Sequence, residues 1–171
     1  MMTKRQERDR QNIDARRARH DMNIFARLPS VYSASRVQAQ RILQASAGLS
    51  TVEWRVLWDL HDAGPMTIRD LAEVQRADHS LLSRALPEMR RKGYVVMERD
   101  TDDGRQTIVT LTDEGQAAYG RAAPAMARRR AALREFFSPE DIATFIRLLD
   151  EMDEFLSDPL EAILDPQELV K

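Results

Sequence analysis

TIRDLAEVQRADHSLLSRALPEMRRKGYVVMERDTDDGRQTIVTLTDEG, residues 67–115, is the stretch on which the fold turns. Its second half is the easier to interpret. Tyr94 to Arg99 and Gln106 to Leu111 are short runs rich in β-branched and aromatic residues, the composition of strands. Between them Asp100-Thr101-Asp102-Asp103-Gly104-Arg105 is polar and contains a glycine that can supply the positive φ of a reversal. A β-hairpin is predicted. Strands this short cannot stand alone in water, so they must pack on something, and the rest of the chain offers only helical periodicity.

Two helices are predicted directly before the hairpin. Thr67 is a good N-cap with Asp70 three residues on as a capping-box variant, and Ile68, Leu71 and Ala72 give one apolar face. Arg76-Ala77 reads as a short turn, and Asp78 can cap the next helix. In that helix Leu81, Leu82, Ala85, Leu86 and Met89 supply the buried side, and His79, Ser80, Ser83, Arg84, Glu88 and Arg91 the other. Gly93 ends it as a C′ glycine after Arg90-Arg91-Lys92, a basic run that suits a helix C-terminus. Pro87 conflicts with a straight helix, because it has no N–H for the Ser83 carbonyl; a bend is expected there.

Helix, turn, helix and a hairpin with a charged tip is the order of a DNA-reading module with a wing. A major groove about 12 Å wide admits one α-helix. Ser80 and Ser83 can donate to bases or phosphates, and Arg84 can engage guanine bidentately or bind phosphate. The helix N-terminus itself favours phosphate. Thr67, Arg76 and His79 complete the candidate DNA-binding set on the helix pair. Taken alone, these residues also fit the solvated face of a surface helix; the attached hairpin is what favours DNA.

Several pieces resemble the MarR-type winged helix regulators. They are Leu49-Ser50-Thr51-Val52-Glu53-Trp54-Arg55-Val56-Leu57, Ile68-Arg69-Asp70-Leu71-Ala72, Leu82-Ser83-Arg84, Arg91-Lys92-Gly93-Tyr94-Val95, the Asp-rich tip with Arg105, and Leu111-Thr112-Asp113-Glu114-Gly115. The resemblance covers roughly residues 21–156, and it is the order and spacing of these pieces that is specific. The resemblance implies a homodimer whose recognition helices enter successive major grooves, and wings whose Arg reaches into the minor groove. Carried over residue by residue, the wing Arg is Arg105 and its orienting acid is Asp103. A narrow A·T-rich minor groove concentrates negative potential and attracts Arg, and an adjacent carboxylate can hold the guanidinium fork. The tip departs from the family pattern: Gly104 stands where a second basic residue is common, and Asp102 adds a negative charge, so weaker wing contact is expected.

The resemblance further implies a small aromatic or anionic effector, bound between the dimerisation helices and the DNA module. Candidate lining residues are Phe25, Tyr32, Trp54, Trp58 and His61, with Arg128 or Arg129 as an anion partner. Core packing is the plainer reading of each aromatic residue, and a C-terminal helix charge the plainer reading of His61.

Composition agrees with a DNA-binding protein through distribution rather than total. The chain of 171 residues has a net charge of −2 and a 43% apolar fraction, enough for a core and the length of one domain, or of one domain with a dimerisation region. Residues 1–20 carry seven basic side chains against three acidic ones, a net of +4; residues 135–171 carry eleven acids against Arg147 and Lys171, a net of −9. A basic arm and an acidic far end suit a protein that meets DNA with one surface. With no cysteine there is no disulfide, zinc–thiolate site or thiol switch, which fits a reducing cytoplasm. There is no apolar run of membrane-spanning length and no signal-peptide core, so no membrane partner and a cytoplasmic location are expected. His20, His61 and His79 lack ligand-spaced partners, so no metal is expected. With no phosphate-cradling glycine loop and no nucleophile motif, neither a cofactor nor enzyme activity is expected.

The flanking segments read as helices. Pro29 fits the N1 position of a helix running to about Ala47. Ser50 and Glu53 form a capping box for a helix carrying Trp54, Leu57, Trp58 and Leu60, closed by Gly64-Pro65. Thr112 caps a long helix through Ala118, Tyr119, Ala122, Met126 and Leu133, with a kink expected at Pro124. Ser138-Pro139-Glu140-Asp141 starts another, in which Ile142, Phe145, Ile146, Leu149, Met152, Phe155 and Leu156 recur at helical spacing. Exposed, these terminal faces would form a large apolar patch, and pairing with a second copy is the expected remedy.

The fold expected is therefore mainly α with a small β-hairpin: a winged helix-turn-helix domain plus N- and C-terminal dimerisation helices. Residues 1–20 form a basic, disordered arm, or else an arm that tracks phosphates or a minor groove. Residues 21–48 form a dimerisation region, 49–115 the winged helix-turn-helix, 116–157 the C-terminal dimerisation helices and 158–171 an acidic tail. The function expected is a sequence-specific regulator, most often a repressor, acting on double-stranded DNA. It would act as a homodimer on a pseudo-palindromic operator with half-sites about 34 Å apart, released by a small molecule. The alternative is a winged-helix protein-interaction module without sequence-specific DNA binding.

Overall fold

Local start signals place most of the helices. The Ser50 hydroxyl accepts from the Glu53 N–H at 3.2 Å while the Glu53 carboxylate accepts from the Ser50 N–H at 2.7 Å, the full capping box. Ser138 Oγ likewise accepts from the Asp141 N–H at 3.1 Å. In the computed structural model, which describes residues 4–76, 79–100, 106–157 and 159, these caps open two of the elements. In chain order the elements are α1 (Lys4–Asp21), α2 (Ile24–Ala47), α3 (Thr51–Ala63), β1 (Met66–Thr67), α4 (Ile68–Val74), α5 (His79–Arg91), β2 (Val95–Arg99), β3 (Thr107–Leu111), α6 (Asp113–Phe136) and α7 (Pro139–Ser157). Among the described residues no helix is long and apolar enough to cross a membrane.

The chain divides into two compact units, residues 1–126 and 127–171. The first is built round one core. Leu43 and Leu49 come from α2 and the segment after it; Trp54, Val56, Leu57 and Leu60 from α3; Leu71 from α4; Leu82, Leu86 and Met89 from α5; Val95 and Val109 from the strands; Ala118 and Ala122 from α6. All are buried. At about 25 cal/mol per Å² of apolar surface removed from water, this burial is what holds helices as short as α4 in place.

The sheet has three strands rather than the two of a simple hairpin. β2 pairs antiparallel with β3, in register from Val95 opposite Leu111 to Arg99 opposite Thr107. β1 pairs with the other edge of β3, Met66 opposite Val109 and Thr67 opposite Ile108, giving the order β1-β3-β2. Two residues after Pro65 carry no periodic signal, so β1 exists only through its partner.

Three further expectations need correcting. α2 starts at Ile24, capped by Asn23, whose side-chain oxygen accepts from the Phe25 N–H at 2.9 Å; Pro29 therefore lies inside the helix, not at N1. Leu81 is 40% exposed and does not join the buried side of α5. Residues 1–20 are expected to be a disordered arm, whereas Lys4–Asp21 form α1. Low apolar content excludes burial but not helicity: the segment has no Gly or Pro and is rich in Arg, a good helix former. Every described α1 side chain is exposed.

The second unit comprises the C-terminal part of α6 and α7. Phe145, Ile146, Leu149, Phe155 and Leu156 are exposed, Ile142 and Met152 are half-buried, and α7 buries none of its residues. The expected kinks at Pro87 and Pro124 do not interrupt their helices: α5 and α6 run through both positions.

Candidate nucleic-acid interface

α3 holds α4, the turn and α5 at two points, the turn after α4 and the end of α5. At the start, Thr67 Oγ1 accepts from the Asp70 N–H at 3.0 Å and the Asp70 carboxylate accepts from the Thr67 N–H at 3.2 Å. After α4 the chain turns through Arg76, whose φ of 44° is in the left-handed region that non-glycine residues visit uncommonly. A buried residue pins that turn. Gln75, only 6% exposed, donates its side-chain amide to the Asp59 carboxylate at 2.7 Å, and its carbonyl accepts from the Arg55 guanidinium at 2.5 Å. Arg55 and Asp59 are four apart, so one face of α3 grips both ends of Gln75. Burial pushes the Asp59 carboxyl up from its ordinary range, against the opposing pull of the Gln75 hydrogen bond and Arg55.

At the other end, the Lys92 ammonium donates to the buried Glu53 carboxylate at 2.6 Å, joining the end of α5 to the start of α3. Burial raises the Glu53 carboxyl, but the hydrogen bonds from Lys92 and Ser50 outweigh it, and the net shift is downward. The Lys92 ammonium is raised, chiefly by that same hydrogen bond. α5 then closes in a Schellman motif: the Tyr94 N–H reaches the Met89 carbonyl at 2.9 Å, the Gly93 N–H reaches Arg90 at 3.0 Å, and Gly93 has φ 76°.

Between these anchors α5 is two-sided. Leu82, Leu86 and Met89 are fully buried, whereas Ser80, Ser83, Arg84, Pro87, Arg90 and Arg91 are exposed. Arg84 Nε donates back to the Ser80 carbonyl at 3.1 Å, laying the guanidinium along the helix start. Arg91 grips Glu88 with two bonds of 2.8 and 2.6 Å. The wing is joined to α6 by Thr112, whose N–H donates to the Tyr94 carbonyl at 3.1 Å and whose Oγ1 accepts from the Gly115 N–H at 3.0 Å. An exposed, polar and cationic helix face held rigidly from behind is what major-groove reading requires.

The structure brings Thr67, Arg76, Ser80, Ser83 and Arg84 onto this one module, although the Thr67 hydroxyl is engaged in its cap. The His79 side chain, Asp78 and the wing tip, with Asp102, Asp103, Gly104 and Arg105, lie outside the described residues, as does the tail from 158 apart from Pro159. Of the ligand-pocket candidates, three are brought together. Trp54, Trp58 and His61 form an aromatic stack with Tyr119: Trp54 lies 5.3 Å from Tyr119 at an interplanar angle of 5°, His61 4.0 Å from it, and Trp58 5.8 Å from Trp54. Trp54 is core, and His61 Nδ1 is 3.0 Å from Gln116 Oε1. Phe25 and Tyr32 are exposed on α2. Tyr32 instead lines an open groove of about 500 Å³ with Arg36, Val37, Gln40, Arg41 and Thr51, where the Arg36 guanidinium sits 5.8 Å over the Tyr32 ring.

Sequence reasoning missed the residues that hold the module: Arg55, Asp59, Gln75 and the Glu53–Lys92 bridge. The available signal was the pair Arg55 and Asp59, polar at helical spacing in a segment whose other positions are largely apolar. Their partners, 16 to 39 residues away, had none.

Residues 49–107 match the model of the MarR family. The chain is 28% identical over 115 residues to the HTH-type transcriptional repressor YetL of Bacillus subtilis, covering 66% of this chain and 69% of that protein. Among solved structures it resembles the PcaV transcriptional regulator of Streptomyces coelicolor in complex with its natural ligand, with a TM-score of 0.67 and 19% identity over 77% of this chain and 92% of that one. It also resembles a mutant MarR from Escherichia coli complexed with operator DNA, with a TM-score of 0.62 and 21% identity over 76% and 98% of the two chains. At these identities the structures speak for the fold.

Proposed function

We propose that the chain, whose residues 49–107 match the MarR family model, is a sequence-specific transcriptional repressor of that kind. It binds a pseudo-palindromic operator as a homodimer. The carrying observation is the outward face of α5, with Ser80, Ser83 and Arg84 held from behind by Leu82, Leu86 and Met89 and clamped at both ends to α3. Ser80, Ser83 and Arg84 read the major groove, Thr67, Arg76 and His79 flank them at the two helix starts, and Arg105, oriented by Asp103, probes the minor groove. The repressor name of the Bacillus relative and the operator complex of the Escherichia coli protein support this reading. A small aromatic or anionic effector releases the DNA; the ligand-bound Streptomyces regulator and the Tyr32–Arg36 groove support that part.

The test is selection of a bound duplex from a random pool, followed by titration of single variants. Arg84→Ala and Arg105→Ala should each weaken binding to the selected duplex by about 1–3 kcal/mol. Silence of both substitutions would overturn the DNA-reading assignment.

A further inference from the structure

α1 has a side. At 3.6 residues per turn, Arg5, Arg8, Asn12, Arg16 and Arg19 fall within an arc of about 80°. Glu7, Asp14 and Asp21 repeat every seven residues on the opposite face. Arg10 and Arg17 stand beside those acids at the i,i+3 and i,i+4 spacings at which opposite charges meet on a helix. The acidic face is also used by the chain itself, since Asp21 pairs with Arg27 of α2 at 3.3 Å. The arginine face is flanked by one acid, Asp9, and by His20.

We infer that this arginine stripe is a second DNA-contacting surface, which lies along the phosphates of duplex beyond the groove read by α5. The inference rests on the DNA-binding reading above. All four cations of the stripe are arginine, whose planar fork suits phosphate oxygens. From Arg5 to Arg19 the stripe is about 21 Å long, and a duplex offers one negative charge per about 1.7 Å of axis, so every arginine finds a phosphate without needing a particular register. None of the described α1 side chains is buried. A helix polar on all sides is marginal in water unless something engages it, and a polyanion on the stripe supplies that engagement. Carrying no base-reading pattern, the stripe adds affinity and salt dependence without sequence preference.

The experiment uses the full chain and the duplex recovered by selection, kept with long flanks, and follows the binding constant against potassium chloride concentration. One variant changes Arg5, Arg8, Arg16 and Arg19 to Gln, which keeps helix propensity; a second changes them to Lys; a control changes Arg10 and Arg17 to Gln. The stripe-to-Gln variant should lose about 0.9 from the log–log salt slope for each contact removed, about 3.6 per arm if all four engage. Its affinity near physiological salt should fall by more than about tenfold, with base preference unchanged. The Lys variant should keep most of the slope, and the control should keep all of it. An unchanged slope in the stripe-to-Gln variant overturns the inference while leaving the DNA reading intact. So does an equal loss in the control, which would mark a net-charge effect. Tighter binding by the stripe-to-Gln variant overturns it too, and would assign the stripe to the acidic segment 135–171. Failure of the unmodified chain to prefer any duplex removes the DNA reading and this inference together.

Discussion

Gly115 and Glu53 show how single residues fix the wing and the reading helix. Gly115 lies against the backbone: a Cβ there would overlap the Tyr94 carbonyl oxygen and sit 2.8 Å from Leu111 Cδ1. That carbonyl cannot retreat freely, because it accepts from the Thr112 N–H at 3.1 Å. Gly115→Ala should cost about 2–4 kcal/mol in urea unfolding despite the better helix propensity of Ala. Gly120, with nothing within 4 Å of its Cβ position, is the control and should gain about 0.5–1 kcal/mol on the same change. Glu53 is buried and serves both the α3 cap and Lys92. Its folded carboxyl is depressed, so its stabilisation is present above the ordinary Glu range and is lost as pH falls through the depressed value. The raised Lys92 ammonium sets the opposite limit: its share is present below the ordinary Lys range and is lost as pH rises through the elevated value. Glu53→Gln keeps a cap acceptor but drops the charge. It should cost about 1–2 kcal/mol near neutrality, discounted for the partial exposure of Lys92, and the gap from the unmodified chain should close in acid. A constant gap from neutral to strongly acid buffers would mean that the bridge contributes nothing.

Among the elements, those with a local cause were legible and those defined by a distant partner were not. Ser50 with Glu53, Thr67 with Asp70, Thr112 and Ser138 announce their helices within four residues. β2 and β3 follow from their own composition. β1 has no such signal because Met66 and Thr67 are a strand only through Val109 and Ile108. The start of α2 was misread because Pro29 is a strong generic signal, whereas Asn23 is the residue whose oxygen meets a free N–H. The helicity of α1 was missed because composition reports what can be buried, not what can coil. Within the candidate interface the outward side chains of α5 were legible from periodicity. The Gln75 latch was not, since Arg55 and Gln75 are 20 residues apart and meet only in the fold. Pro87 belongs to this scale. α5 continues through it on the exposed side, without the bond its N–H would give to Ser83. Pro87→Ala should therefore raise the urea midpoint by an amount worth about 1–3 kcal/mol. If the proline sets the angle at which Ser80, Ser83 and Arg84 approach the bases, the same change shifts sequence preference in a repeated selection. Unchanged affinity and preference would make Pro87 a tolerated substitution in the helix and nothing more.

At the scale of the whole molecule, the exposed apolar side chains are the observation behind the proposed homodimer. α7 exposes Phe145, Ile146, Leu149, Phe155 and Leu156, and α2 exposes Ile24, Phe25 and Val31. Covering one such side chain is worth about 1.5–3 kcal/mol, so a few of them buried between copies outweigh the entropic cost of association, estimated at about 4–15 kcal/mol. A twofold pair is the commonest closed arrangement, and the proposed homodimer would present two copies of α5 to one operator. Binding of the second half-site then becomes intramolecular, with an effective concentration far above that of free protein. Sedimentation over a dilution series should give a dimer at micromolar concentration. Replacing Phe145 and Leu149 with Glu, both exposed in the single chain and therefore harmless to its core, should give a folded monomer. That monomer should still bind an isolated half-site as the unmodified chain does, while losing about 100-fold or more on the full operator, the usual scale of avidity. A wild-type chain that stays monomeric at micromolar concentration, or a double variant that stays dimeric, would move the interface away from α7.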